Sequence, residues 1–132
     1  MRTLLLSMLL LQGASLLIAQ SGANQIRKAN NPKVPRVQTG TASYYNSKFQ
    51  GRVTSSGEKY DEHLMMAAHN RLPMHTRIRV TNLRNNRSVI VKVNDRLHHR
   101  NKRLVDLSRA AAAKLGYLRR GLAKVKVEVL KD

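Results

Sequence analysis

A small β-barrel with one short helix is the fold this chain predicts, on three observations. Its strongest hydrophobic periods are two-fold, as strands require. The strand-like segments are short and separated by Asn-, Gly- and Arg-rich turns, and only one stretch carries helix signals. Beyond the polar N-terminal part, residues 37–132 are enough for one compact domain with a small core.

The elements can be justified in chain order. Met1–Ala23 opens with one charge at Arg2, continues through the leucine-rich run Thr3–Ala19, and ends in the small residues Ala19, Ser21 and Ala23. That is the pattern of a cleaved secretory signal, and Gln12-Gly13 interrupt it too early for a membrane span. Residues 24–36 contain two prolines and no period, and are expected as a flexible leader. Gly40–Tyr45 is the first expected strand. Arg77–Leu83 places Ile78 and Val80 on one face. Ser88–Asn94 sets Val89, Val91 and Val93 against Ser88, Ile90, Lys92 and Asn94. Arg84–Arg87 between these two is a hairpin connection, since Asn tolerates the left-handed backbone of tight turns. Asp106 or Ser108 can cap a helix through Ala110–Ala113 that Gly116 ends. Ala123–Val129 alternates Ala123, Val125, Val127 and Val129 with Lys124, Lys126 and Glu128.

Composition narrows the function classes. With no cysteine, the chain has neither disulfides nor a lipid-modified cysteine, so no stable membrane anchor is expected. Lys and Arg number 25 against seven Asp and Glu, a formal charge of +18. An exported chain of this balance meets anionic envelope polymers rather than nucleic acid, and four Tyr and one Phe offer few faces for stacking on bases. A solvated basic surface explains most of these charges equally well.

Scarce acids in polar turns attract more attention. Glu58 in TSSGEKYD and Asp95 in VKVNDR flank His69 of AAHNRLP in sequence. Two carboxyls and an imidazole suffice for acid–base cleavage of a glycosidic bond. Each also has a plain structural reading. Asp95 can form an Asx turn or pair with Arg96, Glu58 can be a turn acid beside Lys59, and His69 can sit at the edge of the apolar run Leu64–Ala68. Asp106 reads as a helix cap, Asp61 and Glu62 as loop acids, and Tyr117 as packing. Tyr44, Tyr45 and Tyr60 can stack on sugar rings, although the strand neighbours Tyr44 and Tyr45 face opposite ways.

Several motifs in order then identify a family resemblance: A-S-x-Y, G-x-x-T-x-x-G-E-x-Y-D, A-A-H-x-x-L-P, R-V-T-N-L-x-N-x-R-S-V, V-N-D-R and D-L-S-x-A-A-A. Across about 40–130 the chain resembles the rare lipoprotein A (RlpA-like) double-psi β-barrels. The resemblance implies an all-β, six-stranded double-psi barrel with one short helix. It implies an endolytic peptidoglycan lytic transglycosylase, in which the muramyl 6-hydroxyl attacks the anomeric carbon and leaves a 1,6-anhydro end. The motifs carry catalytic roles onto Asp95, His69 and Glu58, with Asp95 as proton donor and acceptor. Substrate contacts fall to Tyr44, Tyr45, Tyr60, Asn94 and Arg96. The expected partner is the peptidoglycan glycan strand, peptide-poor strands favoured, outside the cytoplasm in periplasm or cell wall, with the protein a monomer and no cofactor. The chain departs from relatives after V-N-D-R, where Leu97-His98-His99-Arg100 replaces Gly-Pro and an aromatic. Adjacent histidines lack a ligand spacing, so no metal is expected. The alternative reading is a non-catalytic, expansin-like glycan-binding or wall-loosening module.

Overall fold

In the computed structural model, which describes residues 33–131, six strands close into a barrel in the order β1-β5-β2-β4-β3-β6. The expected signal, residues 1–23, and most of the leader lie outside the described residues. The strands are β1 Val37–Tyr44, β2 Met66–Ala68, β3 Arg77–Asn82, β4 Ser88–Asp95, β5 Val105–Leu107 and β6 Ala123–Val129. Two of the pairings, β1 with β5 and β2 with β4, are parallel, and the other four are antiparallel. The six-stranded barrel with one short helix is therefore as expected.

Alternation places the core. Ile78 and Val80, Val89, Val91 and Val93, and Val125 and Val127 all point inward and are buried. Their branched side chains fill the barrel while their neighbours stay wet. β1 begins at Val37, three residues before the expected Gly40, because Val37–Ala42 pairs antiparallel along β6. Periodicity does not mark β2 and β5 as strands. Each has three residues, too few to display a period, and β2 is buried throughout.

The single helix, α1, spans Arg109–Leu115, and its buried Ala111, Ala112 and Leu115 face β4 and β1. Ser108 is its cap, accepting the Ala111 amide at 3.3 Å. Gly116 ends it at φ 79°, its amide bonded to the Ala112 carbonyl at 2.9 Å. Asp106, the other expected cap, lies on β5 instead.

Candidate active site

The site grows from one irregularity in β4. Strict alternation would send Asp95 inward behind Val91 and Val93. Instead the β2–β4 register shifts, with Ala67 opposite Val93 and Ala68 opposite Asp95. The extra residue, Asn94, is a bulge that turns its own side chain inward and re-aims Asp95 outward. Asn94 was expected on the outer face as a substrate contact; it is 1% exposed, for this reason.

Ala68 has a second neighbour, Asp106 on β5. Asp95 and Asp106 thus occupy one row on either side of β2, roughly 10 Å apart in main chain at two strand spacings. Both line an open groove of about 740 Å³. Sequence reasoning missed Asp106 in this role. The signal available was a three-residue V-D-L strand ahead of the helix, which is indistinguishable from a capping sequence until the barrel closes.

The two carboxyls have opposite electrostatics. Burial pushes Asp106 up to about 6, against the Ser43 hydroxyl bonded to its Oδ1 at 3.1 Å and the charge of Arg103, with the negative charge of Asp95 adding to the rise. Burial raises Asp95 too, but hydrogen bonds outweigh it and hold its carboxyl below the ordinary aspartate range. The Tyr45 hydroxyl donates to Asp95 Oδ2, and the Ser55 amide and hydroxyl donate to Oδ1 at 2.9 and 2.8 Å. Asp95 was expected to hold a proton if its surroundings raised its pKa. Its hydrogen-bond shell lowers that pKa, and the carboxyl with the raised value is Asp106.

Aromatic rings wall the groove. Tyr45 stacks on Tyr60 at 4.4 Å and meets Phe49 edge-on at 6.0 Å. Tyr44 points the other way, its hydroxyl on the Leu118 carbonyl at 2.8 Å and its ring against Tyr117. Of the three expected tyrosines the groove therefore gathers Tyr45 and Tyr60, and it adds Phe49, whose ring lies 4.8 Å from the Arg52 guanidinium. Arg96, Leu97, His98 and His99 form the rim, with the two imidazoles stacked at 4.2 Å.

Glu58 and His69 do not touch the Asp95 side chain. Glu58 Oε2 accepts from Lys92 Nζ at 2.8 Å, a contact that lowers its pKa, and Oε1 lies 3.5 Å from His75. Its carbonyl anchors the loop that delivers Ser55, accepting the Thr54 amide and hydroxyl, each at 2.8 Å. His69 is buried. Its Nδ1 accepts the Arg71 and Leu72 amides at 3.1 and 3.2 Å, so the proton resides on Nε2, which donates to Gln38 Oε1 at 3.1 Å. Burial, helped by the charges of Arg96 and Arg71, lowers its pKa to about 4 and keeps it neutral. Its backbone shapes the groove: the His69 amide bonds the Asp95 carbonyl at 3.1 Å, and its carbonyl accepts from Arg96 at 2.5 Å. Neither residue lines the groove that holds Asp95 and Asp106.

Fold and groove together define the class: a double-psi barrel whose aromatic-walled cleft sets a carboxyl of lowered pKa across from one of raised pKa. The chain belongs to the lytic transglycolase family, which matches residues 37–127. It is 52% identical over 91 residues to the endolytic peptidoglycan transglycosylase RlpA of Neisseria meningitidis, covering 69% of this chain and 38% of that protein. The Pseudomonas aeruginosa protein of that name is 56% identical over 89 residues, covering 67% and 26%. The chain thus spans well under half the length of these curated relatives. Among solved structures, the Streptomyces papain inhibitor superposes with TM-score 0.60 at 23% identity, covering 74% of this chain and 97% of that one. The Clavibacter michiganensis expansin follows at 0.59 and 21%, covering 73% and 51%. These two likenesses establish the shared fold alone.

Proposed function

We propose that this domain is an endolytic lytic transglycosylase that cuts peptidoglycan between N-acetylmuramic acid and N-acetylglucosamine, leaving 1,6-anhydro ends. The observation that carries this reading is the pair Asp106 and Asp95 in one groove with opposite proton affinities. The names of the relatives supply the substrate class. Protonated Asp106 donates to the glycosidic oxygen as the bond from the anomeric carbon breaks. Ionised Asp95, held by Tyr45 and Ser55, stabilises the positive charge that develops there. The muramyl 6-hydroxyl then attacks the anomeric carbon and returns its proton to Asp106. The carboxyl ends as it began, and no water is consumed. Tyr45, Tyr60 and Phe49 offer faces for the sugar rings, and Arg96 at the rim fits the lactyl carboxylates of peptide-poor strands.

A Clavibacter michiganensis expansin variant has been solved in complex with cellohexaose. A purely binding role is therefore the competing reading. Mass analysis of peptide-stripped glycan and of whole sacculi incubated with the purified domain separates the two. Anhydro-ended fragments from the wild type, lost in Asp106→Asn and Asp95→Asn, are expected. Strand binding without any fragments, at several pH values, would assign the domain to glycan binding. Reducing-end products would make it a hydrolase.

Peptidoglycan lies outside the cytoplasm, so the domain acts there as an exported monomer after loss of residues 1–23. N-terminal sequencing of secreted protein and its mass in solution test both points. Among the described residues no helix is long and apolar enough to cross a membrane.

A further inference from the structure

A second cavity, of about 690 Å³, shares no lining residue with the acidic groove. Two loops build it: the β3–β4 hairpin and the connection from α1 to β6. Arg84 comes from the first, Arg119 and Arg120 from the second, and Lys124 from β6. The hairpin also brings Arg87 to the edge, its guanidinium 3.1 Å from where a Cβ on Gly116 would sit. None of the chain's described acids lines this cavity, and none pairs with these five cations. The four guanidinium groups donate no hydrogen bond among the described residues, and Lys124 reaches only the Thr41 hydroxyl, at 3.1 Å.

Like charges held together without a counter-charge repel one another, and a bound anion relieves that repulsion. The surrounding polar groups already suit one. The carbonyl end of α1 is the negative end of its dipole, but here the Leu115 carbonyl accepts both the Asn82 and Asn85 amides, at 2.8 and 2.9 Å. These bonds blunt the partial charge that would repel an anion. A planar carboxylate satisfies one guanidinium fork. Forks arriving from two loops match the several oxygens of a tetrahedral phosphate. We propose that this cavity is a phosphate-binding site, taking the phosphate groups of an anionic envelope polymer or free phosphate and holding the domain while the separate acidic groove works.

The test reads binding alone, so it is separate from cleavage. Amide NMR titrations of the 34–132 domain and of the full chain would use pyrophosphate, poly(glycerol phosphate) and polygalacturonate. Saturable shifts centred on 84–87 and 119–124 are expected with both phosphate probes. Replacing Arg84, Arg119 and Arg120 together by Gln should weaken binding at least tenfold. A charge-matched control, Arg36, Lys59 and Arg77 to Gln, should change it less than twofold. If the triple variant loses its native circular dichroism, Arg84→Gln and Arg119→Gln singly must each weaken binding about threefold. Tighter binding of the polymer per phosphate names the polymer as ligand; equal binding names free phosphate. Equal losses in the control, shifts spread over all basic residues, or equal binding of polygalacturonate would each overturn the proposal.

Discussion

Asp106 and Asp95 are the same residue type in the same groove, and their surroundings separate them. If Asp106 carries the proton, cleavage should decline as pH rises through about 6, and it should also decline at acid pH as Asp95 protonates. Asp106→Asn should lower turnover by roughly two to four orders of magnitude, the usual size of general acid–base catalysis. Tyr45→Phe removes a donor that favours ionised Asp95. The acid limb of the pH–rate profile should therefore move to higher pH, and an unmoved limb would deny the tyrosine that role. Stability offers an independent check. An aspartate raised to about 6 is protonated in the folded state while the unfolded one has ionised, so the wild type loses stability as pH climbs through that interval. Asp106→Asn lacks this loss and should melt above the wild type at neutral pH, by at most about 3 kcal/mol, with the two alike in strong acid. His69 has the opposite sign. Its lowered pKa, about 4, gives stability present above the ordinary histidine value and lost as pH falls through about 4. His69→Ala also orphans the Arg71 and Leu72 amides, costing about 1–3 kcal/mol. Calorimetry across pH measures each.

At the scale of elements, the bulge at Asn94 and the short strands β2 and β5 build the groove. β3, β4 and β6 are legible in sequence because each alternates for six residues or more around β-branched side chains. β2 and β5 are defined by the partners they lie between, not by their own pattern, so no local signal marks them. β5 also depends on close approach. A Cβ on Gly40 of β1 would lie 2.7 Å from the Cβ of Leu104, just before β5. Gly40→Ala should therefore push β5 away and destabilise the barrel by about 1–3 kcal/mol, the usual size of overpacking. A shifted urea midpoint at constant slope measures that. Displacing β5 moves Asp106, so activity should fall further than stability predicts. Ser108→Ala, which removes the helix cap, should cost about 1 kcal/mol and leave the groove intact.

At the scale of the whole molecule, the unit from Val34 onward carries the barrel, both cavities and every proposed functional residue. A protein consisting of residues 34–132 should keep the melting temperature of that unit and cleave at rates within about twofold of the full chain. A large loss would give the N-terminal residues a part in catalysis. The strong positive balance acts at longer range. Association with anionic strands should weaken steeply as salt shortens the screening length to about 8 Å at physiological strength and less above it. Bond cleavage within an already bound strand should change little, because the carboxyls act at contact distance.

The sequence by itself determined the β-rich class, the long strands, the hairpin, and the helix with its Ser108 cap and Gly116 stop. These come from neighbours along the chain: alternation, turn chemistry and capping are local. The six-stranded double-psi architecture came from ordered motifs taken together. Only the tertiary structure decided which acids share the groove, because Asp106 meets Asp95 through a strand between them and Glu58 is drawn away by Lys92. It also decided which aspartate has the raised pKa and which the lowered one. That depends on burial and on donors from Tyr45, Ser55 and Ser43, groups far apart in the chain that only barrel closure brings to the two carboxyls.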